Sequence, residues 1–256
     1  MNEQDIFASP RAVAGVEDCY FYHSMNIPGH GEVKGEWDLR GDEFRYLGGV
    51  PLRGKRVLEL GAASGFLTTY MERQGAEVVA YDLSENHSWD TVPFWGDNLD
   101  EWNEERRSHL RRINNGFWLN HAANRLTARL VHGKVYEVPE AIGPVDIATF
   151  GSILLHLRDP FLALQTSARL VREAIIVTDV YPGTEYHLVG DIANEPSGPP
   201  NVVTPLPPQA HGAPKPTFMP QFWDRQYAET WWHMPPELIR RYLGVLGFPR
   251  CEISYH

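Results

Sequence analysis

Apolar runs alternate with stretches of helical spacing along the middle of the chain. The runs are Arg56–Leu60, Glu77–Asp82, Thr127–Val131, Val145–Ser152 and Ala174–Asp179. Their length and continuous apolar character predict buried strands. The β-branched run before Asp179 predicts a strand covered on both faces. Phe66 to Gln74 reads as a helix stopped by Gly75, and Phe161, Leu164, Ala168 and Leu170 mark another. Leu99 to Ala128 is long and mostly helical, with a break or bend expected at Asn114-Asn115-Gly116. Glu237 to Gly244 follows a proline and carries an acid in its first turn. Cys251 to Tyr255 is strand-like. Strand and helix alternating in this way predict an α/β domain, with a mostly parallel sheet and helices on both faces.

Two stretches fall outside that alternation. Residues 1–50 are rich in aromatics, including Tyr20, Phe21, Tyr22, Trp37 and Tyr46. A disordered leader rarely carries so many, so this segment is read as an N-terminal cap over the carboxyl edge of the sheet. Tyr22 and Trp37 are its substrate-facing candidates. The second stretch, 181–220, contains prolines and glycines throughout and is too long for an ordinary connection. It is read as an insertion over the substrate pocket within a main domain of residues 51–256.

The chemistry gathers at the first predicted turn. Val57-Leu58-Glu59-Leu60-Gly61-Ala62-Ala63-Ser64-Gly65 is a strand running into a glycine loop and then a helix. Gly61 permits the turn, and Gly65 lets a ligand approach the backbone. Glu59 is a carboxylate in an apolar strand and needs partners. Asp82 ends the second strand, where an acid typically grips ribose hydroxyls. No third glycine follows, which argues against a dinucleotide site and its pyrophosphate. Gly151 ends the fourth strand at the same edge, and Asp179 ends the fifth. His156 and His233 are the candidate bases, since a histidine near neutrality can take a proton from a hydroxyl. Trp232 lies beside His233 on the expected substrate side.

Composition narrows the classes. The chain has 256 residues, 43% hydrophobic and 22% charged, with a formal charge of -10. That charge repels polyphosphate at long range, so a nucleic-acid partner is not expected. Arg106, Arg107, Arg111 and Arg112 sit among glutamates and are read as a solvated helix face. No run approaches the roughly 18 apolar residues of a membrane span. The polar start lacks a secretion signal, and Cys19 and Cys251 make no disulfide framework, so a cytoplasmic setting is expected. Asp179 alone supplies too few ligands for Mg2+, so metal assistance is the lesser alternative. Exposed aromatics and the insertion could build a homo-oligomer interface.

The Glu59–Gly65 loop with Asp82 resembles the first motif and second-strand acid of class I S-adenosylmethionine-dependent methyltransferases, over roughly Leu52 to Phe248. The resemblance implies a Rossmann-like fold and S-adenosyl-L-methionine as cofactor. It implies that the Gly61–Gly65 loop holds the methionine part and that Asp82 holds the ribose. It places the adenine near the turn after the third strand, where Lys134 stands in place of the usual acid or amide; backbone groups of Lys134 and Val135 would then serve. It also places the end of the fourth strand against the methyl donor and acceptor. Gly151-Ser152 through His156-Leu157-Arg158-Asp159-Pro160, with Glu36-Trp37-Asp38, further resembles bacterial wobble-uridine tRNA methyltransferases. The acidic, shorter chain favours O-methylation of a small polar metabolite or saccharide instead. An NAD-dependent oxidoreductase and a non-catalytic cofactor-binding protein are the readings from other classes.

Overall fold

The computed structural model describes residues 6–180, 213–223 and 225–255. A five-stranded sheet in the order β5-β4-β3-β6-β7 forms its centre. These strands are β3 (Arg56–Leu60), β4 (Glu77–Asp82), β5 (Arg129–His132), β6 (Val145–Gly151) and β7 (Val171–Thr178). All neighbouring pairs are parallel. The strand order reverses between β3 and β6, so their carboxyl ends open a crevice at the switch point.

Alternation within each strand sorts side chains to two cores. Leu58, Leu60, Val79, Tyr81, Ala148 and Phe150 pack with α4 (Pro160–Ala168) and α5 (Pro236–Val245). Val57, Val78 and Ile147 pack with α2 (Phe66–Arg73) and with Leu119 of α3 (Leu99–Asn124). Odd positions of β3 therefore face α2, which directs Glu59 into that layer. Burying both faces explains why these strands read as near-continuous apolar runs.

The structure corrects two expectations. Helix α3 runs unbroken through Asn114-Asn115-Gly116. Tertiary contacts override the local propensity there: Asn114 Nδ2 donates to the Leu83 carbonyl at 3.0 Å. A Cβ at Gly116 would lie 2.8 Å from the Tyr20 carbonyl oxygen, so the glycine serves close packing rather than a bend. Strand β7 is an outer strand of the sheet, yet its run is covered on both faces as expected: Ile175 and Val177 pack with the α4–α5 core and Ala174 and Ile176 with the α2 core, while Arg172 and Glu173 ahead of the run are exposed. Residues 251–255 form no strand.

Before β3, the chain wraps the sheet. Ala8 N–H donates to the Leu130 carbonyl at 2.7 Å and Phe7 bridges Val131, which shields the β5 edge. A short hairpin, β1 (Met25–Ile27) with β2 (Gly31–Val33), joins the α2 core, as does α1 (Glu43–Tyr46) through Tyr46. Of the predicted insertion, 181–212 lies outside the described residues. Its far end forms β8 (Thr217–Phe218), paired antiparallel with β9 (Trp232–His233).

Candidate functional site

The glycine loop lies against the second-strand acid. Gly61 and Gly65 have φ of +83° and +78°, and Ala63 between them is also left-handed at +46°. A Cβ at Gly61 would approach Ile153 Cγ2 to 2.5 Å, which fixes glycine there twice over, by conformation and by space. The Asp82 carboxylate accepts Ala63 N–H and Leu83 N–H, each at 2.6 Å. Strand end and loop are thereby locked together. Burial nevertheless raises the Asp82 pKa to about 6, against the lowering effect of those two bonds. Glu59 is 3% exposed, and its carboxyl accepts the Thr68 hydroxyl of α2. Burial raises it to about 8, with the Asp82 charge adding to the effect. Ser64 Oγ, fully buried in the loop, has no hydrogen-bond partner.

Tyr22 belongs to this side. Burial, then the charge of Asp82, pushes its hydroxyl up to about 12, while Arg106 pulls the other way. The Tyr22 ring packs edge-on to Tyr20 and His109. Trp89 packs against His109 on its other side. Trp37 meets Tyr22 and Ser24 only through its backbone, and its side chain is 60% exposed. The carbonyls of Lys134 and Val135 already accept the Tyr81 and Thr166 hydroxyls.

A second cluster of the predicted residues forms around the turn after β6. Gly151 lies against the Tyr46 ring, and Tyr46 Oη meets Ser152 Oγ at 3.0 Å. Leu154–His156 makes one 3-10 turn. His156 Nδ1 bonds the Glu229 carbonyl. A carbonyl only accepts, so Nδ1 carries the proton and Nε2 keeps its lone pair. Desolvation lowers the His156 pKa, although the ring retains an exposed face. Asp179 accepts the N–H groups of Val180 and Leu155, and burial raises it to about 7. Trp232 Nε1 donates to the Arg158 carbonyl at 3.1 Å, beside His156. His233 pairs through its backbone with Thr217 across the β8–β9 ribbon.

Several side chains that organise this rim carried no sequence signal. Asp90 accepts the Tyr136 hydroxyl and Arg158 N–H, and its carbonyl accepts the Trp231 indole. Arg106 pairs with Glu229 and lies over the rings of Trp89 and Trp102. The arginine cluster thus divides. Arg107 pairs with Glu104 at the surface, as a solvated face requires, but Arg106 and Arg112 hold other segments, Arg112 through the Cys19 carbonyl. The contacts of Asp90 with Arg158 and Trp231, of Arg106 with Glu229 and of Arg112 with Cys19 each join residues more than 60 positions apart and leave no local pattern.

Among the described residues, no group of His, Cys, Asp or Glu side chains is placed to hold a metal ion. No helix among them is long and apolar enough to cross a membrane.

A family model described as a methyltransferase domain matches residues 33–240. Solved structures of similar shape include the N-terminal domain of EvdMO1, determined in the presence of SAH and D-fucose. It is 22% identical with a TM-score of 0.41, over 63% of this chain and 59% of that one. Magnesium protoporphyrin IX methyltransferase (ChlM) from Synechocystis PCC 6803, with bound SAH, is 13% identical with a TM-score of 0.47, over 82% and 71% of the two chains. A Burkholderia thailandensis 1,6-didemethyltoxoflavin-N1-methyltransferase is 21% identical with a TM-score of 0.31, over 52% and 47%. This chain spans 59% and 60% of the length of the two EvdMO1 structures it matches. No curated protein matches the chain.

Proposed function

The chain belongs to the methyltransferase-domain family, and from that premise we propose that it methylates a hydroxyl of a small polar metabolite or saccharide, with S-adenosyl-L-methionine as donor. The residues present fit that donor. Glu59 is a buried carboxyl and Asp82 a half-buried one, neither with a basic partner among the described residues, and a ligand bearing cationic and hydroxyl groups would satisfy them. Ser64 Oγ is a buried hydroxyl without a partner in the same loop. Asp82 would hold the ribose, and the Gly61–Gly65 backbone the methionine part. Bound there, the donor supplies an electrophilic methyl carbon on a sulfonium.

The chain's own work is alignment, exclusion of water and movement of one proton. The observation that carries the choice of oxygen is the His156 tautomer. Its Nδ1 proton is committed to the Glu229 carbonyl, so Nε2 is ready to accept an acceptor hydroxyl's proton. Trp232 bonds the Arg158 carbonyl and Asp179 the Leu155 N–H, so both hold the turn bearing His156, and Tyr22 feels the Asp82 charge from the N-terminal segment. We read residues 1–50 as the cap, His233 as the second base candidate and Trp37 as an acceptor contact. The free thiols Cys19 and Cys251 are in keeping with a cytoplasmic setting. The test is methyl transfer from labelled S-adenosyl-L-methionine to a panel of sugars, small alcohols and matched amines. Transfer to hydroxyls that collapses in His156→Gln supports the reading; equal transfer to amines by the variant overturns it.

A further inference from the structure

The turn carrying His156 is gripped by a segment far away in sequence. Trp231 N–H donates to the Leu155 carbonyl at 2.8 Å, and the Glu229 carbonyl receives His156 Nδ1–H. Glu229 is in turn tied by its side chain to Arg106 of α3, and both side chains are 28% exposed. Arg106 is itself fixed, lying 4.8 Å from the Trp89 ring centroid and 5.6 Å from that of Trp102. Guanidinium planes hold such stacked sites better than an ammonium does. The chain of contacts therefore runs from two indoles, through one arginine and one glutamate, to a carbonyl on the imidazole.

We propose that Arg106 and Glu229 are positioning residues for His156, their ion pair holding the Glu229 carbonyl where it fixes the Nδ1–H tautomer and aims Nε2 at the acceptor. The proposal rests on the reading of His156 as the base. Other charged groups around the turn are already engaged: Arg158 with Asp90 at 3.8 Å, and Asp179 with the Leu155 N–H. Tyr136 is bonded to Asp90, and His233 lies on the adjoining ribbon. The Arg106–Glu229 pair is thus the link that acts through the carbonyl facing the imidazole. Freed from it, the ring would sample both tautomers and a wetter environment. Relief of desolvation raises a histidine pKa, so the acid limb of kcat would move to higher pH.

The experiment compares wild type with Arg106→Met, Glu229→Gln and the charge-keeping Arg106→Lys, each checked for folding by circular dichroism and for S-adenosylhomocysteine affinity. Two signals are read: nitrogen chemical shifts of His156 in histidine-labelled protein, and kcat against pH. Wild type should show one tautomer, protonated at Nδ1. Arg106→Met and Glu229→Gln should show a mixture and lose about tenfold in kcat with donor affinity unchanged. That loss is a part of the roughly 10²–10⁴ a general base contributes. Arg106→Lys keeps the charge but not the stacked plane, so it should recover only part of both signals. Folded single variants that keep the wild-type tautomer and pH profile overturn the proposal. A changed tautomer with unchanged kcat, alongside a fully active His156→Gln, leaves the positioning intact and removes the base assignment.

Discussion

Replacing Glu59 by Gln separates the cost of a buried carboxylate from the packing around it. The side chain is 3% exposed and faces α2, where the Thr68 hydroxyl donates to it. Glutamine keeps that acceptor and the volume and removes only the titration. Burial lifts the folded pKa from an ordinary 4.5 to about 8. The unfolded chain therefore gives up its proton first as pH rises, and stability falls from about pH 4.5 upward until the folded carboxyl ionises near pH 8. At about 1.4 kcal/mol for each step of 1 in pKa, Glu59 should destabilise the folded chain by ~5 kcal/mol at pH 9. At pH 5 the same calculation leaves ~1 kcal/mol. Asp82 and Asp179 also titrate upward-shifted, but they are present in both proteins and largely cancel in the difference. Thermal melts without added cofactor should then show Glu59→Gln gaining on wild type by ~4 kcal/mol between pH 5 and pH 9. For a chain of this size that is on the order of 10 °C in Tm. A Tm difference that stays flat across this range, or that grows toward acid pH, refutes the reasoning.

Other outcomes follow from the same geometry. Asp82→Asn keeps the shape but loses the charge that binds hydroxyls, so S-adenosylhomocysteine affinity should fall about 10- to 100-fold, read by calorimetry. Gly61→Ala forces a side chain into a left-handed position with Ile153 Cγ2 only 2.5 Å away. It should cost at least ~1–2 kcal/mol in stability, seen as a lower Tm, and weaken donor binding as well. His156→Gln should lower kcat by roughly 100-fold while donor affinity stays near wild type, measured by initial rates and calorimetry; an unchanged rate returns this histidine to structure.

The sheet was legible because its strands are buried on two faces, which writes an apolar run for each one. The β-branched run of β7 was legible for the same reason, since Ile175 and Val177 pack on one face and Ala174 and Ile176 on the other. Asn114-Asn115-Gly116 misled because its propensities are local, whereas the contacts with Leu83 and Tyr20 that keep α3 straight are not. In the site, the left-handed turns at Gly61 and Gly65 and the placing of Asp82 against their loop could be read directly, since they depend on backbone conformation and spacing. Asp90, Arg106 and Glu229 could not. Their importance lies in pairings such as Arg106–Glu229 and Asp90–Tyr136, which only the folded chain brings about.

The most direct measurement is calorimetric titration of wild type and Asp82→Asn with S-adenosyl-L-methionine, S-adenosylhomocysteine and NAD. Saturable binding of both sulfur nucleosides to wild type, weakened by the substitution, with no heat from NAD, is the expected result. Binding of NAD alone, or sulfur-nucleoside binding indifferent to Asp82, would contradict the assignment of the donor site.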